Sequence, residues 1–236
     1  MESLVQDTIE SRVQSVLAKI RSAAEKAGRP ASSVRLVAAT KTVPVQKIAE
    51  GVQAGLAILG ENRVQEALSK IPTFKPGPVQ WHFIGQLQRR KVRSVIGVFE
   101  LIHSVDSREL ALEIDRRAGD AGHRQDVLLE VNIGNEPTKA GFCPDDVRQA
   151  VSELAQLSHI RIKGLMAIPP PTIDPGSARP YFRKLTELAK MIDAQHLPSV
   201  KMDELSMGMS NDYEVAIEEG ATLVRVGSAI FGARHV

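Results

Sequence analysis

The chain reads as a (β/α)8 barrel. Short apolar runs rich in β-branched residues alternate with segments of helical spacing along all 236 residues. The runs show little solvent-facing alternation, as strands of a parallel sheet covered by helices do. Eight such units at this length match a closed barrel, whereas an open doubly wound sheet usually has fewer strands. No linker, low-complexity tract or repeat beyond the βα unit interrupts the pattern, so residues 1–236 are expected to form one domain.

The elements follow in order. A first helix to about Lys26 carries Leu4, Val5, Ile9, Val13, Val16, Leu17 and Ile20 at helical spacing, and Gly28-Arg29-Pro30 stops it. This helix precedes the first strand and is therefore extra to the barrel. Strand one is Val34–Lys41, followed by a helix from Val45 to Ala54. Strand two, Leu56–Gly60, leads into Glu61-Asn62-Arg63 and a helix Val64–Lys70. After a Pro/Gly loop come strand three, Val79–Gly85, and a short basic helix Gln88–Ile96. Strand four, Phe99–Val105, ends at Asp106-Ser107, a cap for a helix Arg108–Ala121. Strand five, Asp126–Ile133, and a helix Val147–Leu157 precede strand six, Ile160–Ile168, which runs into three prolines. A turn-rich loop and a long helix to about Ala194 lead to strand seven, Met202–Met207. A helix Tyr213–Glu218, strand eight Thr222–Val226 and a last turn Ala229–Phe231 complete the pattern.

Composition excludes several function classes. A formal net charge of +2 gives no global argument for nucleic acid or a membrane surface. Cys143 is the only cysteine, which rules out an intrachain disulfide and fits a reducing compartment. The N-terminus is broken by charges and is not a secretory signal, and no apolar run approaches the roughly 20 residues of a membrane helix. A cytoplasmic location is expected. The six histidines show no metal-type spacing, and no Walker motif or G-x-S-x-G occurs. Arg89-Arg90-Lys91-Arg93 reads as a solvated basic face.

In such a barrel, chemistry sits at the C-terminal rim of the strands. The polar residues there are Lys41, Asn62, Ser104, Ser206, Arg225 and the turns Gly208-Met209-Ser210 and Gly227-Ser228. Along strand one, alternation puts Val37, Ala39 and Lys41 on one face, and small Ala39 leaves room beneath the lysine. Gly227-Ser228 before a short helix is a phosphate-site pattern, because glycine admits the backbone and a helix start offers free N–H groups. Ser210 could add a hydroxyl. A tight serine-capped turn is the equally open structural reading. A lysine facing a phosphate cradle suggests a Schiff base with a phosphorylated aldehyde. Pyridoxal 5′-phosphate (PLP) offers an aldehyde, a phosphate and a ring nitrogen that Arg225 could face. The competing readings are a rim salt bridge of Lys41 with Glu61 or with a helix C-terminus, and a buried ion pair of Arg225 with a carboxylate such as Glu204. Lys163, mid-strand, is the rival Schiff-base lysine of an aldolase, and Lys139 lies in a loop where it could fold over a ligand.

Several motifs now fit one family in order: Val37–Lys41 (VAATK), Gly60-Glu61-Asn62 with Val64-Gln65-Glu66, Trp81–Gly85 with Leu87-Gln88, and Ser104-Val105-Asp106. Lys163–Met166, Ser206–Ser210 with Asp212, and Arg225-Val226-Gly227 with Ile230-Phe231-Gly232 continue the series. The chain resembles the pyridoxal phosphate homeostasis protein family over nearly its full length. That resemblance implies a fold-type III PLP barrel, similar to the N-terminal domain of alanine racemase. It implies that Lys41 forms the internal aldimine, Arg225 faces the pyridine nitrogen, Ser210, Gly227 and Ser228 hold the phosphate, and Asn62 lies beside the cofactor. Arg63 stands where the family often has an aromatic residue, and Arg90 where it often has asparagine. The implied role is intracellular buffering and delivery of PLP, with effects on amino-acid and keto-acid balance. PLP-dependent apoenzymes are the expected recipients, and a monomer is expected. The alternative is a racemase-like PLP enzyme. Alanine racemases add a C-terminal β domain with a tyrosine acid/base. This chain ends at Val236, and Tyr181 and Tyr213 are not obvious replacements. An arginine at the pyridine nitrogen would also weaken the cofactor as an electron sink, so carrying is favoured over transforming.

Overall fold

The computed structural model describes residues 7–74, 77 and 79–232. Leu4, Val5 and Val236 lie outside the described residues. Eight parallel strands close a barrel in sequence order. They are β1 (Arg35–Ala39), β2 (Ile58–Glu61), β3 (Gln80–Phe83), β4 (Leu101–Val105), β5 (Gln125–Glu130), β6 (Ile160–Met166), β7 (Val200–Ser206) and β8 (Leu223–Val226). The helices are α1 (Ile9–Lys26), α2 (Val45–Gln53), α3 (Val64–Lys70), α4 (Arg108–Asp120), α5 (Val147–Leu154), α6 (Arg179–Asp193), α7 (Tyr213–Glu218) and α8 (Ser228–Phe231). Pairing of β1 with β8, which sets Val37 opposite Arg225, removes both sheet edges and rules out the open doubly wound sheet.

Two apolar layers follow from strand alternation. Val37, Ile58, Leu101, Leu128, Met166 and Leu223 fill the lumen. A larger layer, including Leu36, Leu59, Phe83, Leu129 and Leu205, packs the outside of the barrel against the helices. The last helix, α8, is a single turn and covers little of the wall. The extra helix α1 packs against α2, α7 and α8, burying Ile9, Val13, Val16, Ile20, Ala23 and Ala24. It therefore does the work of an eighth covering helix.

Several expected boundaries shift at the rim. β1 ends at Ala39, so Lys41 stands in the turn beyond the strand. β5 stops at Glu130 and β6 at Met166, both earlier than apolarity suggests; past Glu130 the chain pairs with its own following loop, Val131 bridging Phe142. The basic segment after β3 is a 3-10 helix, Arg89–Ser94, and not an α-helix. Its i to i+3 bonds, such as Val95 N–H to the Val92 carbonyl, let Val92, Val95 and Phe99 all point inward. Tyr181 lies within α6 rather than before a helix. Ser107 caps α4 as expected, accepting from the Leu110 N–H at 3.4 Å.

Candidate functional site

A cavity of about 570 Å³ opens at the C-terminal rim, within the size range of small-molecule sites. Lys41, Ser210, Arg225, Gly227 and Ser228 all line it, together with Ala39, Thr42 and the proline run Pro169–Pro171. Residues from the two ends of the chain thus meet in one place. Their closeness is set by Gly227, where an added Cβ would lie 3.2 Å from the Ala39 carbonyl oxygen and 3.3 Å from the Ala39 Cβ. Only glycine lets the β8 turn approach β1 this closely without displacement. The Ser210 hydroxyl accepts from the Gly227 N–H at 3.4 Å, tying the turn after β7 to the turn after β8. Gly208, with φ +88°, sets that first turn. A side chain there would both strain the backbone and strike Tyr213 and Ala216.

Arg225 is buried at the bottom of the cavity. Its guanidinium donates to the Ser206 carbonyl at 2.8 Å, the Ser206 hydroxyl at 2.5 Å and the Ala167 carbonyl at 3.1 Å. None of these acceptors is a carboxylate. The competing pair with Glu204 does not form: Glu204 instead bonds Arg35 and accepts from the Thr222 hydroxyl. Desolvation lowers the Arg225 pKa to about 10, which still leaves it charged at neutral pH.

The competing Lys41–Glu61 pairing does not form either. Gly60 faces the lumen, where a Cβ would meet Val37 and Ile84, so its neighbour Glu61 faces α3. There it binds Lys70 Nζ at 2.8 Å. Asn62 is not among the residues lining the cavity. It follows β2, the strand next to β1, and its Oδ1 is buried without a hydrogen-bond partner. Gly85 packs against its backbone, with an added Cβ only 2.4 Å from the Asn62 carbonyl oxygen. Ser104 is buried within β4. Lys163 bonds Asp203 at 3.2 Å and does not line the cavity, so it is not placed as a Schiff-base lysine there. Lys139 pairs with Glu136 and reaches the Pro169 carbonyl at 3.3 Å, at the edge of the cavity mouth. Arg63 and Arg90 are both exposed.

Two features escape a reading of the sequence. A buried chain runs beneath the cavity from Arg225 through Ser206 to His103 and His82, with 2.8 Å and 2.9 Å separations at the histidines. Because arginine only donates, one arrangement satisfies every member: the Ser206 hydroxyl donates to His103 Nδ1, and His103 Nε2–H donates to His82 Nδ1. Both rings are then neutral. Burial, reinforced by nearby positive charge, pushes His82 down to about 3 and His103 well below its usual range. Period-2 alternation with Leu101 was the available signal for His103. The second feature is Glu130 at the tip of β5. Burial, then repulsion from Asp106, lifts its carboxyl to about 7, against the pull of Arg225.

The model of the alanine racemase N-terminal domain matches residues 12–235. A pyridoxal phosphate homeostasis protein of Aquifex aeolicus is 46% identical, over 94% of this chain and 97% of that protein. The chain belongs to the pyridoxal phosphate homeostasis protein family. A family member from Pseudomonas aeruginosa is 40% identical over 96% of each chain. The structure of PipY from Synechococcus elongatus PCC7942, solved with PLP bound, superposes with a TM-score of 0.82 at 36% identity, covering 95% of this chain and 100% of that one. The family barrel is therefore shared over 95% of this chain. Among the described residues no helix is long and apolar enough to cross a membrane, and no cluster of three or more metal-ligating side chains occurs.

Proposed function

We propose that this protein binds pyridoxal 5′-phosphate and acts in PLP homeostasis, holding the cofactor and releasing it to PLP-dependent apoenzymes. The observation that carries this reading is the convergence of Lys41 with the Ser210 and Gly227-Ser228 turns in one cavity. The donor set suits the three functional parts of PLP. Ser210, Ser228 and the glycine turn at Gly227 suit a phosphate dianion. The Lys41 amine suits the aldehyde, which is the electrophile PLP supplies when bound. Arg225, with its donors in place and its charge retained, suits an unprotonated ring nitrogen. An arginine there holds the ring short of protonation, which favours carriage over α-carbon chemistry. Neither Tyr181 nor Tyr213 lines the cavity, and burial raises the Tyr213 hydroxyl to about 12, a poor starting point for an acid/base. These points weigh against the racemase-like alternative.

The test is direct. Added PLP should give a new absorption band, and borohydride should fix the label on Lys41 by peptide mass. Lys41→Ala should lose the fixed label and bind PLP at least about tenfold more weakly through the phosphate turns alone, a difference of about 1.4 kcal/mol. An equal borohydride-stable label in Lys41→Ala would refute the assignment. Arg225→Ala should move the absorption maximum of the bound cofactor, and an unchanged maximum would leave the arginine a purely structural role. Exchange of the α-proton of amino acids for deuterium at enzyme-like turnover would favour the racemase-like reading instead.

A further inference from the structure

Lys41 stands in a turn beyond its strand, so its direction depends on the two peptide groups that bracket it. Both are held from α3. The Thr40 carbonyl, in the peptide before Lys41, accepts from Lys70 Nζ at 2.8 Å. The Thr42 N–H, in the peptide after it, donates to Glu66 Oε1 at 2.6 Å. Glu66 and Lys70 are themselves paired at 2.6 Å. The Thr40 hydroxyl donates to Glu61 Oε1 at 2.7 Å, and the same oxygen accepts from Lys70. All three donors of the Lys70 ammonium are thereby used. Thr40, Glu61 and Lys70 are all buried.

A glutamate and lysine four residues apart ordinarily form an exposed helix pair worth only tenths of a kcal/mol. Here the pair leaves its helix to reach a segment 30 residues earlier in the chain. It also holds Thr42 at φ 62°, a left-handed conformation that a β-branched residue adopts only under constraint. Such constraint at a site marks pre-organisation.

We propose that Glu66 and Lys70, with Glu61, are positioning residues that fix the backbone on both sides of Lys41 and so aim its amine into the cavity. This rests on the reading of Lys41 as the residue that joins PLP. In that step the amine nitrogen adds to the aldehyde carbon, a C=N bond replaces C=O, and water leaves. The step requires the nitrogen at a set distance and angle from the carbon, which a loose turn does not provide.

Pyridoxine 5′-phosphate has the ring and phosphate but an alcohol in place of the aldehyde, so it reports the cavity without the lysine step. Glu66 is only partly buried, which makes it the residue to change. Glu66→Ala should slow borohydride-trapped labelling of Lys41 at saturating PLP by about tenfold, with affinity for pyridoxine 5′-phosphate within about twofold of wild type. Glu66→Gln keeps an oxygen for the Thr42 N–H and should recover most of the rate. Wild-type labelling speed in Glu66→Ala overturns the proposal. So does a parallel loss of pyridoxine 5′-phosphate binding, because that would mean a general packing role. Labelling of the wild-type protein at a residue other than Lys41 would instead overturn the functional reading on which the proposal rests.

Discussion

The carboxyl of Glu130 shows how one side chain senses the whole barrel mouth. Burial and Asp106 favour its protonated form, and Arg225 opposes them. Its folded value of about 7 lies above the ordinary 4.5, so the native state binds an extra proton between those pH values. Stability must then fall as pH rises through that window and stay at the lower level above it. Glu130→Gln, which mimics the protonated acid, should raise unfolding free energy at pH 8 by about 2 kcal/mol and change it little at pH 4. Urea titrations at the two pH values check this, and an equal effect at both would contradict it. The sequence concealed Glu130 because the apolar run continues to Ile133, placing the residue mid-strand. Only the early end of β5, at Glu130 itself, puts it at the rim.

At the scale of elements, four strands share one polar chain across the lumen. β3 supplies His82, β4 His103, β7 Ser206 and β8 Arg225. The cost of burying two imidazoles is offset by their mutual hydrogen bond and by the serine. Their depressed pKa values set a sign opposite to that of Glu130. The unfolded chain takes up protons below about pH 6.5 that the native state refuses, so stability present above that value is lost as pH falls towards 3. His82→Phe should remove one of these protons and flatten the acid limb by about 1.4 kcal/mol per pH unit. At neutral pH it should cost about 1–3 kcal/mol, by leaving His103 Nε2 without a partner. Urea midpoints from pH 7 to pH 4 report both effects, and an unaltered slope would mean that His82 is already protonated in the fold. The clamp of Glu61, Glu66 and Lys70 is an element-scale device of the same kind. Its Glu66–Lys70 spacing was visible in the sequence, but its target, the peptides around Lys41, was not.

For the whole molecule, closure depends on α1. The helix after β8, α8, is only four residues long, and α1 covers the seam against α2, α7 and α8. The Gln14 side chain donates to the Ala54 carbonyl at 3.0 Å, and the Arg29 guanidinium donates to the Ile217 carbonyl at 2.8 Å, fastening both flanks. Val13, at the centre of this contact, is completely buried. Val13→Asp should cost roughly 3 kcal/mol or more and lower the melting temperature by about 6–12 °C, while still giving a single transition. Because PLP binds only the native state in the reading above, a hundredfold excess over its dissociation constant should return about 2.7 kcal/mol. Calorimetry with and without PLP measures both. A melt insensitive to Val13→Asp would show that α1 is dispensable to closure.

The amino-acid order determined the strand count, the alternation with helices and the residue types at each strand end, because periodicity and turn chemistry are local properties. It also carried the lysine, the glycine turns and the arginine that mark the family. The tertiary structure decided which of those residues meet. Closure of β8 onto β1 brought Gly227 against Ala39 and set Arg225 opposite Val37, in the cavity that Lys41 lines. It also left Glu204 to Arg35, while packing of α3 on β2 gave Glu61 to Lys70 and pairing of β3 with β4 joined two histidines 21 residues apart. Such pairings depend on lumen-or-wall direction and on register around a closed ring, and neither is a property of any single stretch of chain.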